Sequence, residues 1–372
     1  MKILLVANVG RGHVNKFHIP TIQYLQAQNW QVDVACSVDE PIEAGDNIYA
    51  MCWKRSPFTF KTIQGIFQLK KLIAKNNYDI IYCHTPVGGV ISRMAVALLR
   101  GKKPQVAYFA HGLHFFKGAP LLNWLLYYPI EKLMSYFTNL FITINPEDYN
   151  LVQKHFNQNM KVALINGIGV DFNRLKIDNR EAIRQEYRTQ LNIPQDAIAL
   201  IYVAEVSKNK NQEMLIRLVE NMNKQSNHNV YLLLAGPLNE KGAYIKLANQ
   251  LGIKDKIRFL GWRKDIAQLM NTADICVASS IREGLPLNLI EAQYCHLPIV
   301  AVTNRGHNTI IKDGENGFLV PLNDYHAMQE KVELLINDKN LYHKMTNINV
   351  EKYQSSNIVK ELYHLLSDLK AH

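Results

Sequence analysis

The run Glu283-Gly284-Leu285-Pro286-Leu287-Asn288-Leu289-Ile290-Glu291 decides how this chain reads. It follows Asp274-Ile275-Cys276-Val277-Ala278, an apolar segment with the length and branching of a buried strand, and then Ser279, Ser280 and Ile281. Gly284 suits a tight turn, and Pro286 suits the first turn of a helix, where a missing N–H costs nothing. A helix from there carries Glu291 about two turns past Glu283, so the two carboxylates are expected to face one ligand. Free N–H groups at Gly284 and Leu285, at the positive end of that helix, would hold a phosphate. Carboxylates accept from sugar hydroxyls while amides grip phosphate, a pairing that implies a nucleotide-sugar site. An isolated pair of this kind is more often a helix-start acid and a solvated glutamate. Context outweighs that reading, because open α/β sheets place ligands beyond the C-terminal ends of their strands.

Outward from this stretch, strand, turn and helix alternate along the whole chain. Strands are predicted at residues 2–7, 31–35, 79–83, 105–109, 140–144 and 162–165, with helices at 17–28, 60–75 and from Gly88 to about Leu99. Asn8 to His13 is expected to be a glycine-bearing loop. Asn166 to Asp171 is read as a crossover, after which a charged helix (180–190) restarts the pattern. Further strands follow at 199–203, 230–235, 257–260, 274–278, 299–302 and 317–320. The result is an α/β fold of two Rossmann-like, doubly wound parallel-sheet halves. The expected domains are 1–170, 171–352 and a C-terminal helix, 353–372, crossing back to the first.

Length agrees, since 372 residues exceed one ordinary core. The five cysteines are scattered without metal-like spacing, so buried, reduced thiols and a cytoplasmic setting are expected. No signal peptide is read at the start, and no segment is long and apolar enough to span a bilayer. Residues 1–175 hold 18 Lys and Arg against 10 Asp and Glu, so most of the net charge of +10 lies in the first half. That half is expected to meet an anionic surface, with a membrane ranked above nucleic acid because no nucleic-acid module is visible. The apolar, aromatic stretch 115–130 would be either the membrane contact or a buried helix.

Three segments extend the picture: His84-Thr85-Pro86-Val87-Gly88-Gly89-Val90, the run Ala110-His111-Gly112-Leu113-His114-Phe115-Phe116-Lys117-Gly118-Ala119-Pro120, and Asn123 to Lys132. With the Glu-x7-Glu spacing of Glu283 and Glu291, the chain resembles, over nearly its full length, retaining glycosyltransferase family 4 of GT-B fold. The likeness is nearest to the branch that builds bacterial capsule and exopolysaccharide repeat units.

The resemblance implies a metal-independent transferase with two domains facing a central cleft. It moves a sugar, with retention, from a UDP-sugar to a lipid-linked (polyprenyl diphosphate) saccharide, at the inner face of the cell membrane. It assigns Glu291 to the nucleotide ribose, Glu283 to the transferred sugar, Lys210 to the diphosphate and His111 to a place over the sugar. Gly10 and Gly12 would approach the donor phosphates, while Arg11, His13 and His84 would line the acceptor side. Ala204-Glu205 departs from the Gly-Arg of many members, and Lys208 is the expected substitute for that arginine. No cofactor is expected. The histidine spacing matches no zinc motif and no Asp-x-Asp is present, so Lys210, helix amides and Arg11 would neutralise the leaving diphosphate. The alternatives are a nucleotide-sugar epimerase or hydrolase of the same fold, and a non-catalytic partner of a membrane glycosyltransferase.

Overall fold

The computed structural model describes residues 1–53, 59–225 and 228–369; the side chains of Arg11 and Lys241 fall outside the description. The chain divides into two compact units. One comprises Met1–Gly169 and the C-terminal stretch from Tyr353, and the other Val170–Lys352.

In the first unit, among the described residues, the strands are β1 (Lys2–Val9), β2 (Gln31–Ser37), β3 (Ile48–Ala50), β4 (Ile80–His84), β5 (Gln105–Phe109), β6 (Leu140–Thr143) and β7 (Lys161–Leu164). They form one parallel sheet in the order β3-β2-β1-β4-β5-β6-β7. The second unit contains β8 (Ile198–Val203), β9 (Val230–Ala235), β10 (Ile257–Gly261), β11 (Ile275–Ala278), β12 (Ile299–Val302) and β13 (Phe318–Val320). Their order is β10-β9-β8-β11-β12-β13, again all parallel. Central strands covered on both faces need unbroken apolar runs. Ile3, Leu4, Leu5 and Val6 of β1 are accordingly at most 1% exposed, each contributing about 1.5–3 kcal/mol by its burial. In each sheet the strand order reverses beside its first strand, between β1 and β4 and between β8 and β11. Those two switch points are where such sheets open a crevice for a ligand.

The helix Ser355–Asp368 packs on the first unit. Tyr363 meets the rings of Tyr24 and Trp30, and Asp368 pairs with Lys161 at 3.0 Å. A buried ion pair braces the same unit: Arg93 Nη1 lies 2.8 Å from Glu131 Oε2, with the guanidinium over the ring of Tyr108. A Cβ at Gly89 would sit 2.4 Å from that ring, so glycine is needed for the close approach.

Several expectations shift locally. The predicted loop after β1 is a wide helical turn, Gly10–Val14, and the helix predicted at 17–28 is broken at His18 into a short helix, Asn15–Phe17, and a main one, Ile19–Ala27. Pro20 sits in its first turn, and the helix cannot be extended back through it without losing a backbone donor. The stretch 115–130 resolves into a helix, Leu121–Met134. One side seats Trp124 and Tyr128 against Phe115, while Leu121 (73% exposed), Leu122, Leu125 and Leu133 face outward. The helix is therefore buried on one side and exposed on the other. Cys36, Cys83, Cys276 and Cys295 are buried free thiols, which burial pushes up to about 12.

Candidate active site

The second unit places its chemistry at the switch point beside β8 and β11. Lys210 lies in the loop after β8 and Glu283 in the loop after β11. The two loops are laced together: Ile281 N–H donates to the Asn209 carbonyl at 2.8 Å, Ser279 Oγ to the Lys210 carbonyl at 2.8 Å, and Asn209 Nδ2 to the Arg282 carbonyl at 3.1 Å. Lys210 Nζ reaches Glu283 Oε1 at 2.5 Å. Ser280 Oγ also donates to Glu283 Oε1, at 2.5 Å, and shares a hydrogen bond with the buried Tyr202 hydroxyl. The carboxylate is thus held from two sides before any ligand binds.

Neighbouring residues that the sequence reading missed complete this arrangement. Asn304 Nδ2 donates to the Ser280 carbonyl at 2.8 Å. Asn304 also caps the short helix Arg305–Ile310, accepting from His307 N–H. A Cβ on Gly306 would lie 2.5 Å from Glu283 Cβ and 2.9 Å from its carbonyl carbon, so glycine permits the approach. His307 is 1% exposed and bonds through Nδ1 to the Val302 carbonyl at 2.6 Å. Burial holds its imidazole below the usual range, against the smaller upward pulls of that bond and of Glu283.

Glu291 lies in the helix Leu287–Tyr294, 7% exposed, and forms an ion pair with Arg174. Arg174 stands in the short turn Phe172–Leu175, whose Phe172 stacks on Tyr294 with ring centroids 4.3 Å apart. The helix begins one residue later than expected. Pro286 precedes it, its carbonyl accepting from Leu289 N–H, and Gly284 and Leu285 belong to the bend upstream. Lys208 and Glu205 are both exposed. Glu205 accepts from Ser207 Oγ and Asn239 Nδ2, each at 3.3 Å.

The first unit gathers histidines at its own switch point. His13 follows β1, His84 ends β4 and His111 follows β5; His18, absent from the sequence reading, joins them. His18 Nε2 lies 3.1 Å from His13 Nε2, and His111 Nε2 lies 3.3 Å from His84 Nδ1. Burial foremost, and then mutual repulsion, hold His18, His84 and His111 well below the usual imidazole range. Thr85 has φ +65°, an unusual conformation for a β-branched residue, at the entrance to the helix Pro86–Ala97. The Gly10 N–H donates to Asp39 Oδ1 at 3.1 Å, and a Cβ there would meet Ile42. Gly12 lies in the same helical turn, Gly10–Val14, and the side chain of Arg11 is outside the description. A cavity of about 690 Å³ near Asp79, Lys102 and Gln105 contains none of these residues.

Two Rossmann-like units, the second with a Lys–Glu pair at its switch point, define the GT-B class. The family comparisons agree. The Glycosyl transferase 4-like model matches residues 2–145, and the Glycosyl transferases group 1 model matches residues 183–352. EpsD of Bacillus subtilis (strain 168), named as a glycosyltransferase, is 39% identical over 92% of this chain and 90% of its own length. The Escherichia coli UDP-Gal:alpha-D-GlcNAc-diphosphoundecaprenol alpha-1,3-galactosyltransferase is 24% identical over 94% of this chain and 91% of that protein. The crystal structure of Anabaena HepE in complex with UDP and glucose shares the fold, with TM-score 0.79 at 20% identity, covering 99% of this chain and 100% of that one. The chain belongs to the GT-B glycosyltransferases of this family.

Proposed function

We propose that this protein transfers a sugar, with retention, from a UDP-sugar to a lipid-linked polyprenyl diphosphate saccharide in capsule or exopolysaccharide assembly. The observation that carries the reading is the Lys210–Glu283 pair at the β8/β11 switch point. A diphosphate arriving there takes the ammonium, and Glu283 is left to accept from a sugar hydroxyl. Charge on the departing diphosphate is met by Lys210, by Lys208 and by backbone N–H groups near Gly284 and Leu285, without a divalent ion at the donor. Glu291 serves the ribose, sharing its carboxylate with Arg174. Retention follows if the departing phosphate takes the acceptor's proton on the face it leaves.

The E. coli relative's name, which contains both a UDP-sugar and a diphosphoundecaprenol acceptor, supports this donor and acceptor class. Membrane attachment at the inner face is supported by the outward leucines of the helix Leu121–Met134 and the basic first half of the chain. No described helix is long and apolar enough to cross a membrane.

The test is incubation with labelled UDP-sugars, with and without a polyprenyl diphosphate saccharide, in excess chelator. Label entering the lipid fraction, with donor consumed only when acceptor is present, is the expected result. Donor consumed without acceptor would favour an epimerase or hydrolase. Loss of transfer restored by Mg2+ or Mn2+, which take oxygen ligands, would refute the metal-free donor site.

A further inference from the structure

We propose that His13, His18, His84 and His111 form a binding site for one first-row transition-metal dication, zinc foremost, in the first unit. One ligand atom from each of the four lies within 4.8 Å of all the others. A tetrahedral ion with metal–nitrogen bonds of about 2.1 Å separates its ligands by about 3.4 Å. The two printed pairs, at 3.1 and 3.3 Å, already stand near that spacing. Binding therefore needs side-chain adjustments of about an ångström and no movement of the sheet.

His84 ends β4 and His111 lies two residues past β5, while His13 and His18 stand in the helical segment that follows β1, the strand beside β4. Imidazole nitrogen selects zinc, cobalt, nickel or copper over magnesium and calcium, which require oxygen. His111, the least buried of the four, marks the way in. Four neutral ligands leave the full ionic charge uncompensated, so the ion should be exchangeable.

It shares no residue with the diphosphate site proposed in the second unit, and its test does not read transfer. The full chain, stripped by dialysis against a chelator, is titrated with Co2+ and followed by its visible d–d absorption. One equivalent giving the intense bands of four-coordinate Co2+, bleached by Zn2+, is expected. His18→Asn and His84→Asn should each weaken binding about tenfold or more, while His155→Asn, on the surface, should not. Circular dichroism and UDP binding check that each variant folds, and His111→Asn replaces any variant that does not. Absence of saturable Co2+ absorption, or equal affinity in all variants, would overturn the proposal.

Discussion

Lys210 Nζ and Glu283 Oε1 lie 2.5 Å apart, joining the loops that follow β8 and β11. Both side chains are mostly buried, at 20% and 14% exposed, so neither is screened as a surface pair would be. The pair keeps a cation and an anion side by side at the one place where the sheet opens. A sugar diphosphate needs both, the cation for its phosphates and the carboxylate for its hydroxyls.

Gly306→Ala tests whether the position of Glu283 matters. The added methyl would press on Glu283 Cβ and its backbone, neither of which is a flexible end. A clash of this kind costs about 1–3 kcal/mol. We expect a fall in kcat/KM of about tenfold or more with a modest drop in Tm; a fully active variant would show that Glu283 need not be held there.

Glu291→Ala and Arg174→Ala separate binding from pairing. Losing the carboxylate removes hydroxyl contacts worth about 1.5–3 kcal/mol, so UDP affinity should fall roughly tenfold to a hundredfold. Arg174→Ala takes the cation from a buried carboxylate and should lower Tm more than Glu291→Ala does, because Arg174 is half exposed and rehydrates. Calorimetric titration with UDP and thermal melts check both; unchanged UDP binding in Glu291→Ala would remove this residue from the site.

The proposed membrane contact is tested at the outward leucines. Leu121→Glu with Leu125→Glu should leave Tm near wild type, since both side chains are exposed. Sedimentation with anionic vesicles should fall about tenfold or more, and wild-type binding should weaken as salt is raised. Equal sedimentation of wild type and variant would place the contact elsewhere.

His307 makes stability pH-dependent. Burial lowers its folded-state pKa below the ordinary 6.5, so the unfolded chain takes up the proton first. The neutral ring's contribution is complete above pH 6.5 and declines as pH falls from there toward the lowered folded value, by at most about 1.4 kcal/mol per unit. Urea unfolding of wild type should be steeper over that window than of His307→Gln; identical slopes would contradict it.

Much of this was legible in the residues. β1, β8 and β11 are short apolar runs that end at glycine, alanine or serine, and buried parallel strands have to look like that. β3 is three residues long and shows no periodicity. The helix Arg305–Ile310 spans less than two turns, so Asn304 and Gly306 passed unremarked. The bond between Arg174 and Glu291 joins residues 117 apart, and His18 meets His84 only because the strand order sets β1 beside β4. Contacts of that kind belong to topology, and local spacing carries no trace of them.

The central claim, that Lys210 binds the donor diphosphate beside Glu283, is tested most directly by UDP titration of Lys210→Ala with transfer measured on the same preparation. A cation lost from a water-poor site should cost about 2–4 kcal/mol. Donor Kd should therefore rise at least tenfold and transfer should fall further still, with Lys208→Ala milder and Lys254→Ala unchanged. Wild-type Kd and transfer in Lys210→Ala would contradict the account.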